Sequence, residues 1–219
     1  MVLLNSGREI ASSGLDWTSG ASSALGSGTS VAQLSVALEV PNRDDRNSIL
    51  NVLDRISNTA RTDSRVGVQD LTSQVALEIL RRRSSIVSAS TNSKHFNDRT
   101  KALREFQSRS VKERSKFENE NTSRYGGVDY GTKSSSSGSG NGQATMVVVT
   151  LVLAIDGDST KMPRVNNLSD VEDALRRIAS DSKVDDCLQG AEILWTPEDR
   201  TESLSLRDVV ADYPDLRAV

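Results

Sequence analysis

The stretch Met146 to Ile155, Met-Val-Val-Val-Thr-Leu-Val-Leu-Ala-Ile, constrains the fold more than any other. It is β-branched, nearly unbroken and of strand length, so it reads as a central strand with both faces covered. The whole uncharged apolar stretch, Ala144 to Ile155, is twelve residues long, well short of the roughly 18 to 20 that a helix needs to span a bilayer. Two more strands are expected beside it. In Val31 to Val40, Leu34, Val36, Leu38 and Val40 alternate with Gln33, Ser35, Ala37 and Glu39, the period of a half-buried strand, and Pro41 ends it. Ala191 to Thr196 is the third, closed by Pro197.

Helical periodicity fills much of the remainder. Ile49, Val52, Leu53, Ile56 and Ala60 recur at three- and four-residue spacing, predicting a helix that begins near Asp44 or Asp45. A second is predicted from about Val68 to Arg82, with cations at its carboxyl end that suit the helix dipole. Arg99 to Gln107 reads as another helix, and Ser110-Val111-Lys112-Glu113 has capping-box spacing for a separate short helix through Phe117. Ser169-Asp170-Val171-Glu172 marks the start of a helix with Ala174, Leu175 and Ile178 on one face, and Ser205 to Ala211 a last short one. The expected fold is α+β: a three-stranded sheet with helices packed mainly on one face.

Two tracts have too little to bury for the entropy of ordering them. From Ser12 to Ser30, thirteen of nineteen residues are Ser, Gly or Thr, and Gly131 to Gly142 carries four consecutive serines. Residues 1–30 therefore read as a flexible arm, 31–130 as a strand plus helical block, 131–143 as a linker, and 144–219 as a strand-helix-strand-helix block of the same domain. Charge divides at the linker as well. Residues 42–124 hold 17 basic and 11 acidic side chains, net +6; residues 144–219 hold 8 and 15, net −7. Opposite charges of this size favour docking of the two blocks, although each exposed pair is worth only about 0 to 1 kcal/mol.

Composition narrows the function classes. A formal net charge of −3 over 219 residues lacks the basic excess of a nucleic-acid binder. The single Cys and single His exclude an internal disulfide and, together, fall short of the roughly four ligands of a structural zinc site. Met1 to Glu9 suits neither a secretory signal nor a transit peptide. No glycine-rich phosphate loop ends in Lys-Ser or Lys-Thr, so no cofactor is expected.

Candidate chemistry is sparse. His95 lies in a polar stretch with no nucleophile elbow nearby, and reads as a surface or hydrogen-bonded histidine. Cys187 follows Asp185 and Asp186, whose charges disfavour a thiolate, so it reads as inert. Asp156-Gly157-Asp158 at the end of the central strand lies where ligands bind in open sheets; it lacks the rest of a cation loop and reads first as a tight turn, the alternative being a small-ligand or metal-binding domain or an enzyme that uses these carboxylates with Arg164 as an anion clamp. Arg81, Arg82 and Arg83 are a candidate contact for an anion or acidic partner, or simply a complemented helix end. No catalytic or metal-binding residue is assigned.

The carboxy-terminal blocks, Ala191-Glu192-Ile193-Leu194-Trp195-Thr196-Pro197 and Asp212-Tyr213-Pro214-Asp215-Leu216, resemble the closing signature of one family. It is the fluctuating-light acclimation protein family, a domain of unknown function found in chloroplasts and cyanobacteria. Arg114-Ser115-Lys116-Phe117-Glu118 and the strands at Leu34 to Val40 and Val147 to Ile155 fit it in the same order, so the resemblance spans about Val31 to Leu216. It implies a chloroplast protein with no established enzymatic reaction, associated with thylakoid or envelope membranes and with acclimation of photosynthesis to changing light through photoprotective quenching and proton balance, and so a regulatory or interaction domain. Its implied partner is a photosynthetic or ion-transport membrane component, and membrane contact would be made through a segment absent here. Leu194, Trp195, Thr196, Pro197, Tyr213 and Pro214 are expected to be structural, with Trp195 packed on Tyr213 and Pro214.

Overall fold

The β-branched run forms the interior of a sheet. The computed structural model describes residues 8–11, 23–125, 144–197 and 202–219, with side chains over 23–116, 144–197 and 202–219. Along the chain these form β1 (Arg8–Ala11), β2 (Thr29–Val40), α1 (Ile49–Thr59), α2 (Arg65–Arg81), β3 (Ile86–Phe96), α3 (Arg99–Tyr125), β4 (Thr145–Asp156), α4 (Leu168–Asp181), β5 (Leu188–Thr196), α5 (Leu206–Asp212) and β6 (Arg217–Ala218). The sheet order is β1-β5-β4-β2-β3-β6, and every pairing is antiparallel. All twelve residues of β4 are buried, and it pairs with β2 from Thr29↔Asp156 to Val40↔Thr145. The α+β class and the central strand stand as expected.

The expected count of three strands is too low. β3 reads Ile-Val-Ser-Ala-Ser-Thr-Asn-Ser-Lys-His-Phe, too polar to signal a strand, because it lies near the edge and needs little apolar surface there. β1 and β6 are four and two residues long, below the length at which periodicity shows. β1 lies within the residues read as an arm, as do Ser23 to Ser30, which pack against the end of β4. The Gly131–Gly142 tract lies outside the described residues.

The sequence predicts helices mainly on one face; α1, α2 and α4 do share one, and α3 and α5 cover the other. On one side Leu34, Val36 and Leu38 of β2, Val149, Leu151 and Leu153 of β4, and Ile193 and Trp195 of β5 form a single apolar cluster with the inner stripes of α1, α2 and α4. On the other, Ala37, Met146 and Val148 meet Leu204, Val209 and Tyr213 around α5. α3 lies beside α5 on this second face, over the row Gln33, Val152 and Glu192 that the strand register aligns. Alternation along a strand makes the second face obligatory: residues of β2 and β4 that miss the first cluster must meet something else.

Caps rather than composition set the helix ends. α1 begins at Ile49, not near Asp44, because the Ser48 hydroxyl accepts from Asn51 N. The box at α4 is Asn167 with Asp170, two residues ahead of the expected pair, and that at α5 is Ser205 with Asp208. Residues 99–125 form one helix rather than two. Asp98 Oδ1 caps it, accepting from Thr100 N at 2.8 Å and Lys101 N at 3.2 Å, while Ser110 is mid-helix and buried.

Candidate functional site

The turn that ends β4 is closed by the chain itself. Asp156 is 7% exposed; Thr29 Oγ1 donates to its Oδ1 at 2.7 Å and Arg99 donates to its Oδ2. The backbone donors an anion would need are also taken: Gly157 N donates to Gly28 O, and Asp158 N and Ser159 N both to Leu25 O. Gly157 sits at φ 121°, and a β-carbon there would meet Leu25 O at 2.4 Å, so this close approach requires glycine. The structure does not bring Arg164 to Asp156 by any hydrogen bond or ion pair; Arg164 is exposed.

His95 Nδ1 lies 3.1 Å from Ser30 Oγ, a pairing with the outline of a nucleophile and its base. Ser30, however, is buried and donates its one proton to Gly157 O at 2.7 Å. The histidine nitrogen is then the donor to that oxygen, which is the wrong direction for activating a hydroxyl. Cys187 is fully buried in the first apolar cluster.

The arginine run is engaged at the junction of α2 and α4. Arg81 and Arg82 both donate to Glu78, Arg82 at 2.6 Å, and Arg82 Nη2 reaches Asn47 O at 2.7 Å. Arg83 lies 3.5 Å from Glu172 of α4. Burial by itself would raise the Glu78 carboxyl. The hydrogen bond and charge of Arg82, followed by those of Arg81, outweigh it and hold the group below its ordinary range.

The signature residues do not form one corner. Trp195 is 1% exposed and belongs to the α1, α2 and α4 side, whereas Tyr213 belongs to the α5 side. The expected Trp195–Tyr213 contact is therefore incorrect. Successive residues of β5 point to opposite faces, so Leu194 and Thr196, both buried, share the side of Tyr213, while Pro197 is buried and Pro214 exposed.

The largest polar arrangement is one the sequence reading did not single out: the contact between α3 and the sheet. Gln33 Nε2 donates to Glu113 Oε1 at 3.0 Å, and Lys116 Nζ reaches both Glu113 oxygens at 2.8 Å. The same Lys116 ammonium sits 5.1 Å from the Tyr213 ring centroid. Arg114 forks onto Glu192 of β5, with Nη2 2.9 Å from Oε2. Arg109 donates to Asn92 O at 3.0 Å and Oδ1 at 3.1 Å, and to Glu105 Oε1 at 2.9 Å. Burial would raise Glu105, but Arg109 and then Lys94 lower it further than burial lifts it. Glu113 and Glu192 are 2% and 1% exposed. The available signals were Glu192 within the apolar run Ala191–Trp195 and the polar alternate positions Gln33 and Ser35, which need partners where the sheet is covered.

Chemically, this arrangement binds one element of the chain to another; among the described residues no group of three or more His, Cys, Asp or Glu is placed to hold a metal. Nor is any described helix long and apolar enough to cross a membrane.

An antiparallel six-stranded α+β sheet carrying a polar helix contact on one face is the class this chain defines. Residues 28–219 match the family described as protein of unknown function (DUF1517), and the chain belongs to that family. It is 26% identical over 189 residues to FLUCTUATING-LIGHT-ACCLIMATION protein 1, chloroplastic, of Arabidopsis thaliana, covering 86% of this chain and 46% of that protein. It is 25% identical over 195 residues to Protein FLAP1 homolog A of Synechocystis sp., covering 86% of this chain and 56% of the relative. The chain thus spans about half the length of these curated relatives. No solved structure matches it.

Proposed function

We propose that this chain is a noncatalytic regulatory or interaction domain that helps a chloroplast acclimate photosynthesis to fluctuating light. The supporting observation is its family membership together with relatives named for that process. The noncatalytic part of the reading draws on the site geometry: Asp156, Ser30 and Glu192, three buried polar groups, each serve neighbouring elements of the fold. Its partner is a photosynthetic or ion-transport membrane component, its output photoprotective quenching and proton balance, and its attachment to the thylakoid or envelope runs through a segment outside this domain.

The test has two arms. Tagged protein is incubated with thylakoid extract in mild detergent, and recovery of a photosynthetic or ion-transport component is expected; recovery of neither counts against the reading. A thermal-shift screen of metals, nucleotides and lipid headgroups is expected to be flat. Saturating ligand at about 100 times its dissociation constant would add roughly 2.7 kcal/mol, and such a response would turn the assignment toward a small-ligand binder.

A further inference from the structure

The two faces of the sheet are held by different forces. α1, α2 and α4 contribute apolar stripes to one continuous cluster. α3 contributes no described side chain to either apolar cluster; of its apolar side chains over 99–116, Ala102 is fully buried, Leu103 and Phe106 are half-buried, and Val111 is 62% exposed. Over its described side chains, α3 meets the sheet through ion pairs and hydrogen bonds, with Ala102 beside them: Arg99 to Asp156, Arg114 to Glu192, Lys94 to Glu105, Gln33 to Glu113 and Arg109 to Asn92. Its Ser110 hydroxyl is buried with no hydrogen-bond partner, a cost of docking that water would relieve.

We propose that α3 is a latch, an element that leaves the sheet as a unit while the β-sheet and its α1, α2 and α4 layer stay folded. Lifting an apolar helix exposes hydrocarbon to water on both surfaces. Lifting α3 exposes only a small apolar area, Val31, Val152 and Ala154 of the sheet with Ala102 of the helix, while it hydrates Gln33 and Glu192 and the arginines on the helix, so part of the desolvation cost of each buried charge is recovered as its partner is lost. Elements with few buried apolar contacts form the low-stability units of a fold. Undocking uncovers this sheet surface and breaks the Gln33–Glu113 hydrogen bond and the Lys116–Tyr213 contact toward α5.

Because opening separates opposite charges, of which Arg114 is 39% and Lys94 58% exposed, salt favours the open state. The test is amide hydrogen exchange on the full chain at about 0.05 and about 1 M NaCl, where the screening length falls from about 14 Å to about 3 Å. Amides of residues 99–116 are expected to lose roughly tenfold in protection, equivalent to about 1.4 kcal/mol, while α2, α4 and β4 keep theirs. The double variant Arg114→Met/Glu192→Met, which replaces the ion pair by apolar contact, is expected to raise α3 protection and shrink its salt response. The latch is overturned if α3 exchanges only with global unfolding at both salt concentrations. It is equally overturned if α2 and α4 lose protection together with α3, or if the double variant retains the full salt response.

Discussion

At the scale of single residues, position on the sheet decides what each signature side chain contributes. Trp195 fills the first apolar layer at 1% exposure, so Trp195→Ala is expected to cost roughly 3 to 5 kcal/mol. In a chain of this size that lowers the melting temperature by roughly 10 °C. Tyr213 packs on the opposite face, and side chains that share no partner add independently. A double-mutant cycle of Trp195→Ala and Tyr213→Ala should therefore give a coupling within about 0.5 kcal/mol of zero; a larger value would mean that the sheet transmits strain between its faces. Glu78 makes a prediction with a sign. Its carboxyl is held below the ordinary value of 4.5 by Arg82 and Arg81, so its contribution is fully present above that value and lost as pH falls through the depressed folded value. Glu78→Gln is thus expected to destabilise at neutral pH, and urea titrations should show the gap to wild type closing as pH drops from about 5 toward 3. A gap that widens on acidification would contradict the assignment of the charge to Glu78.

At the scale of elements, caps and amphipathic stripes account for where helices begin and how they pack. Asn167 and Ser205 each hold a complete capping box, and Asn167→Ala or Ser205→Ala is expected to cost about 1 kcal/mol by denaturant unfolding. The consequences should differ in place. α4 belongs to the main apolar layer, so its cap affects global stability. α5 is seven residues long and covers the smaller cluster, so loss of Ser205 should speed exchange locally around Leu204, Val209 and Tyr213 before the rest of the sheet responds. α3 is the exception among the helices because its described side chains meet the sheet mainly through ion pairs and hydrogen bonds. Its apolar periodicity is weak for that reason, and its sequence reads as two short charged helices although Asp98 starts one continuous element.

At the scale of the whole molecule, the two blocks on either side of residues 126–143 share one sheet, with β4 of the second paired along its length to β2 of the first. Closure entropy grows only as the logarithm of loop length, about 0.6 kcal/mol per doubling. Replacing residues 131–142 by a shorter Gly/Ser loop is therefore expected to change the urea midpoint little, and loss of cooperative unfolding would show that the tract carries structure. What could be read from residues alone was whatever depends on near neighbours in the chain. The β-branched run of β4, the alternation of β2, the stripes of α1 and α2 and the proline after β5 each state their element within a window of ten or so residues. The α+β class followed from them. What needed the tertiary structure was every feature whose partner lies far along the chain. β3 is a strand because β2 offers it an edge, and β1 and β6 because β5 and β3 do. Asp156 and Ser30 are consumed by residues on other elements. Trp195 and Tyr213 were separated by the parity of one strand, and Glu192 met Arg114 across 78 positions of sequence. Local pattern reports burial and period, but pairing across a sheet is a property of register and closure, which no short window contains.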